Sequence, residues 1–100
     1  MVKHIIIWTL KSELTDEEKA ERKLRIKQGL EGLKGKIDGL KEIEVVTGLL
    51  PTSNGDLMLN STFESFEALK GYSINPLHQA VANEEVRPYT ADRKCVDFEI

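Results

Sequence analysis

Residues 2–10, VKHIIIWTL, carry apolar side chains at both parities, with Ile6, Trp8 and Leu10 alternating with Ile5 and Ile7. Successive side chains of an extended strand point to opposite faces, so this strand needs cover on both sides and belongs inside its sheet. The demand is heavy for a chain of 100 residues. A chain of this length, taken as one domain over residues 1–100, builds one core and has little material left for a second covering layer.

The segment after the strand supplies cover for one side. Thr15 and Glu18 stand three apart at the head of Asp16-Glu17-Glu18, which predicts an N-cap and a capping box. Ile26, Leu30, Leu33 and Ile37 recur at helical spacing and form an apolar stripe for a sheet, while Leu24 lies off it and faces water. Gly29, Gly32 and Gly35 each cost about 1 kcal/mol relative to alanine in a helix interior. They loosen the second half, and Gly35 or Gly39 is expected to end the helix. Ile43, Val45 and Thr47 alternate with Glu42, Glu44 and Val46 in a second, more one-sided strand near a sheet edge. Residues 49–56 contain Pro51, Asn54 and Gly55 and read as a turn. Leu57, Leu59 and Phe63 mark a third strand, and Ser65 caps a short helix offering Phe66, Leu69 and Tyr72 to the sheet. Asn75 is a favoured N-cap and Pro76 a favoured first helical residue, so one helix stops there and another runs over 76–85 until Pro88. Val96, Phe98 and Ile100 mark the last strand.

The order strand, helix, strand, strand, helix, strand is the α+β ferredoxin-like βαββαβ plan, with an antiparallel four-stranded sheet and the second helix broken at Asn75-Pro76. Right-handed crossovers place both helices on one face and make the first and third strands central. The opposite face, bearing Ile5 and Ile7, then has no cover within the chain. A second copy of the sheet would provide it, which predicts a homodimer.

Charge and cysteine content narrow the function. Fourteen basic and seventeen acidic residues, interspersed, give a net charge of −3, which argues against a nucleic-acid or anionic-membrane surface as partner. Cys95 is the only cysteine, so no internal disulfide forms and a reducing, cytoplasmic setting is expected. The apolar run at Ile5–Trp8 is far too short to span a membrane. No glycine loop follows a strand, no serine elbow is present, and His4 and His78 lack the short spacing of a metal ligand pair.

Chemistry concentrates in Tyr72-Ser73-Ile74-Asn75-Pro76-Leu77-His78. His78 is the third residue of the new helix, whose positive N-terminal end favours neutral imidazole. His4 shares a pocket with it only if the even-numbered face of the first strand lies under the helices. That places His4, Ile6 and Trp8 on the cavity side as substrate-binding candidates. Each residue also has a plainer reading: His4 as a buried histidine bonded to a backbone carbonyl, His78 as a partly exposed helix residue, Tyr72 as a core aromatic.

This segment, together with Val2-Lys3-His4 and Cys95-Val96-Asp97-Phe98-Glu99, resembles the stress-responsive dimeric α/β-barrel family. The family pattern is a tyrosine followed, after an interval, by His-Pro-x-His. Tyr72, Pro76 and His78 match it, and Asn75 stands where the family often has the first histidine. The resemblance implies a dimeric α/β barrel. The family includes a plant polyketide cyclase whose corresponding tyrosine and second histidine are catalytic, which marks Tyr72 and His78 as catalytic candidates acting on a carbonyl-rich small molecule without a metal or organic cofactor. Two other family roles remain open at this point: a non-catalytic stress protein acting as a stable oligomer, and a cofactor-free oxygenase relative.

Overall fold

The computed structural model describes all residues from Met1 to Ile100. Four strands, β1 (Val2–Leu10), β2 (Leu40–Val46), β3 (Leu57–Phe63) and β4 (Thr90–Glu99), form one antiparallel sheet in the order β2-β3-β1-β4. Three helices, α1 (Asp16–Glu31), α2 (Phe66–Ile74) and α3 (Pro76–Val81), complete the plan. The ferredoxin-like fold, the central placing of β1 and β3 and the edge position of β2 agree with the sequence.

Parity along β1 decides how the layers stack. Val2, His4, Ile6, Trp8 and Leu10 are buried, whereas Ile7 is exposed. The buried face meets Ile26 and Leu30 of α1 and Leu69 and Tyr72 of α2 within one apolar core that also takes in Leu57, Leu59 and Phe63 of β3. On the other face, strand pairing sets Ile5 opposite Val96, Lys3 opposite Phe98 and Ile7 opposite Met58. Val96, Phe98 and Ile100 are all exposed. This is the uncovered apolar sheet face that the two-sided strand requires.

The Thr15 capping box is formed on both sides. Glu18 N donates to Thr15 Oγ1 at 3.1 Å, and Thr15 N donates to Glu18 Oε1 at 2.8 Å. Thr15→Ala should therefore lower stability by about 1 kcal/mol in chemical denaturation. An unchanged denaturation midpoint would mean that water caps the helix equally well.

Three expectations need correction. Helix α1 ends at Glu31 with Gly32 as its cap, not at Gly35 or Gly39. Those two glycines instead adopt φ of 83° and 80° in the connection to β2, a left-handed conformation that favours glycine. Leu33 and Ile37 are buried from turns rather than from helix. Phe66 faces outward beneath the Lys70 ammonium, 4.9 Å from its ring centroid, and leaves the sheet to Leu69 and Tyr72. The helix expected over 76–85 leaves regular α geometry after Val81, continuing as a wide π turn over Ala82–Val86 and a 3₁₀ turn over Arg87–Tyr89.

Gly29 has a packing reason within α1. A Cβ built on it would lie 2.9 Å from Val81 Cγ1, so the missing side chain is what lets α3 approach α1 closely.

Candidate active site

Asn75 joins two helices. Its backbone is extended, at φ −65° and ψ 131°, the region preferred before a proline. Its N–H donates to Tyr72 O at 3.1 Å and so closes α2, while its Oδ1 accepts from Leu77 N at 2.9 Å and caps α3. The joint folds the imidazole of His78 back over the phenol of Tyr72, with ring centroids 4.1 Å apart and planes inclined by 33°.

These rings flank a cavity of about 390 Å³ between sheet and helices, a size in the range of small-molecule sites. Ile6 and Trp8 of β1, Leu59 of β3 and Leu30 of α1 supply its apolar lining. His4 also lines it, with its ring centroid 6.2 Å from that of Tyr72. All five residues singled out from sequence, His4, Ile6, Trp8, Tyr72 and His78, thus border one space.

Tyr72 is 1% exposed, and its hydroxyl has no hydrogen-bond partner in the protein. Burial pushes the phenol well above its usual range, against the pull of the Arg93 charge, so it stays protonated and keeps its donor. His78 is half-buried. Desolvation holds it below the usual 6.5, opposed by the Ser73 carbonyl and assisted by the charges of Arg87, His4 and Arg93. Its Nδ1 lies 3.4 Å from Ser73 O. A carbonyl only accepts, so the ring hydrogen belongs on Nδ1 and Nε2 keeps the lone pair.

Because the folded pKa of His78 is depressed, the unfolded chain takes up the proton first. The contribution to stability is complete above the unfolded value of 6.5 and is lost as pH falls from there through the folded pKa. An NMR titration, assigned with His78→Gln, should show a midpoint below 6.5. A midpoint at or above that value would mean an exposed ring or one paired with a carboxylate.

His4 is bonded differently from the plainer expectation. Its Nδ1 meets Asp97 Oδ1 at 2.5 Å rather than a backbone carbonyl. Asp97 stands directly opposite His4 across the β1–β4 pair. Cys95, two residues earlier on the same face, brings its Sγ 3.4 Å from Asp97 Oδ1. Burial and the neighbouring Asp97 push that thiol up. His4, Cys95 and Asp97 offer three possible metal donor atoms within 4.8 Å of one another. The imidazole and carboxylate, however, are at hydrogen-bonding distance and not spread around an ion.

Sequence reasoning missed Asp97, Cys95, Arg87 and Arg93. Asp97 and Arg93 are legible only once the register is known, since they pair with His4 and Trp8. Arg87 reaches the cavity from the irregular turns that replace the expected helix.

The structure resembles several solved proteins. A dimeric protein of unknown function with a ferredoxin-like fold from Bacteroides fragilis is 30% identical, with 99% of this chain and 95% of that one covered and a TM-score of 0.91. A dimeric ferredoxin-like protein of unknown function from Thermobifida fusca is 23% identical, covering 99% and 90%, with a TM-score of 0.80. A hydroxynitrile lyase from Passiflora edulis shares the fold at 21% identity, covering 99% and 92%, with a TM-score of 0.74. No curated protein matches this chain. The stress responsive A/B barrel domain model matches residues 2–100, and with the fold, the Tyr72–His78 pair and the uncovered sheet face described above, the chain belongs to that family.

Proposed function

We propose that the protein binds a small, carbonyl-bearing organic molecule in the cavity and that His78 and Tyr72 act on it as base and hydrogen-bond donor. The observation that carries this reading is the buried Tyr72 hydroxyl, a donor without a protein partner, stacked against a histidine held neutral. A buried polar group left unpaired is costly, and a ligand oxygen would satisfy it. Nε2 of His78 takes a proton from the carbon next to the carbonyl. The C–H electron pair passes into the enolate, and its oxygen accepts a hydrogen bond from Tyr72 as negative charge develops. Ile6, Trp8 and His4 hold the ligand body, and the reaction as written calls on no cofactor.

The protein is further proposed to work as a homodimer joined through the open sheet face. The dimeric descriptions of the Bacteroides fragilis and Thermobifida fusca relatives support this. So does Asn60 on that face, whose Oδ1 is buried yet lacks a partner within the chain. A cytoplasmic setting goes with this reading; no helix is long and apolar enough to cross a membrane.

A thermal-shift screen of aromatic and aliphatic ketones and β-dicarbonyl compounds tests the site. Ligands that raise the Tm should lose that effect in Tyr72→Phe and in His78→Gln, with both variants folded in the absence of ligand. Stabilisation that is unchanged in both would remove the pair from the site.

A further inference from the structure

The charge of the cavity wall points to the class of ligand. Arg87 and Arg93 both line the cavity, and no aspartate or glutamate does. Neither guanidinium has a carboxylate within ion-pairing distance, although six other lysine and arginine side chains in the protein do. Arg87 is instead held by neutral acceptors, its Nη1 donating to Gln79 Oε1 at 3.2 Å and to Asn83 Oδ1. Asp97 is engaged by His4, Asp92 by Lys94 and Glu85 by Arg22, and Glu84, which precedes Arg87 by three residues, makes no ion pair with it. In a chain of net charge −3, two uncompensated arginines at one cavity are a local arrangement and not a general basic excess.

Resting on the cavity reading above, we propose that the ligand is an amphiphilic anion, a carboxylate carried on an aromatic or aliphatic body. The carboxylate would sit between Arg87 and Arg93, and the body against Trp8, Ile6, Leu59 and Leu30. Guanidinium presents a planar fork of donors that matches a carboxylate, and such charge-assisted bonds are stronger than neutral ones. The apolar lining gives the organic body its place, so a free inorganic anion would satisfy only half of the site.

The test compares 2-naphthoate with 2-naphthamide, equal in shape and differing in charge, by calorimetry and by the NMR signal of the indole N–H. Trp8 is the only tryptophan and lines the cavity, so that one signal reports occupancy. The acid should bind at least about tenfold tighter than the amide, and the preference should shrink as salt rises. In Arg87→Gln/Arg93→Gln the ratio should fall towards one with the amide affinity retained. Arg93→Gln alone, which removes no ion pair, gives the same readout in part if the double variant folds poorly. Equal binding of acid and amide, or a ratio unchanged in the variants, overturns the anion proposal while leaving the cavity reading intact. If neither compound moves the Trp8 signal, both fall.

Discussion

Aspartate in place of Ile7 should turn a well-behaved protein into one that unfolds or aggregates, and should not release a stable monomer. Ile7 lies on the open face, beside Ile5 on the same strand face and paired with Met58 and Lys94. Exposed Val96 and Phe98 extend the apolar patch across β4. An interface of on the order of 1,600 Å² would cover it. Lys94 is already engaged by Asp92, so a charge buried there costs several kcal/mol, comparable with the total stability of a small domain, about 5–15 kcal/mol. If instead the partner is lost, the same patch faces water in a chain whose folding is coupled to association. Sedimentation is the measurement. A folded, monomeric wild type at micromolar concentration would sink the dimer, and a folded, monomeric Ile7→Asp would show that each protomer stands alone.

Phe63→Ala should be the most costly truncation beneath the site. The ring is fully buried at the end of β3, where Phe63 pairs with both Val2 and Leu40. Its centroid lies 4.9 Å from that of Tyr72 and 6.2 Å from that of His4. Removing a buried phenylalanine typically costs about 3–5 kcal/mol, part of it from the cavity left behind. In a domain of this size that corresponds to a Tm lower by at least about 12 °C, compared at equal protein concentration because association contributes. The void would also free the Tyr72 ring from one of its supports, so ligand stabilisation should fall by more than the loss of fold stability explains. A cost under about 1 kcal/mol would mean that neighbouring side chains collapse into the space.

Where sequence and structure agree, the signal was local and chemical. The two-sided pattern of β1, the Thr15–Glu18 box and the Asn75-Pro76 joint depend on residues close in sequence, and each forms as read. Disagreement arises where distant chain segments set the answer. Leu33 and Ile37 continue the helical spacing of Ile26 and Leu30, yet they are buried from turns, because a turn held by Gly35 can present side chains to the same surface. In β2 the pairing register shifts between Leu40 and Glu42, so Leu40 and Ile43 are both buried despite their odd separation, and simple alternation fails. Strand β4 starts at Thr90, well before its apolar residues. It is an edge strand with every residue from Ala91 onward exposed, so no burial pattern announces it. The site was legible as far as Tyr72, His78 and the even face of β1. Its Asp97, Arg93 and Arg87 came into view only with the register and the irregular turns.

The joint at Asn75 also bears on motion. On an uninterrupted helix, residues six apart would be separated by about 9 Å along the axis and by about 120° around it, so Tyr72 and His78 could not stack. Their contact is therefore set by one extended residue and not by helical pitch. Helix α3 buries none of its own residues, and Pro76 contributes no N–H to tie it to α2. Such a segment belongs to the low end of the local stability range, where openings occur without global unfolding. Amide hydrogen exchange should accordingly be fast across Leu77–Val81 and slow in β1 and β3. Each opening would lift His78 from Tyr72 and uncover the cavity, so a bound ligand should slow exchange in α3 more than in any other helix.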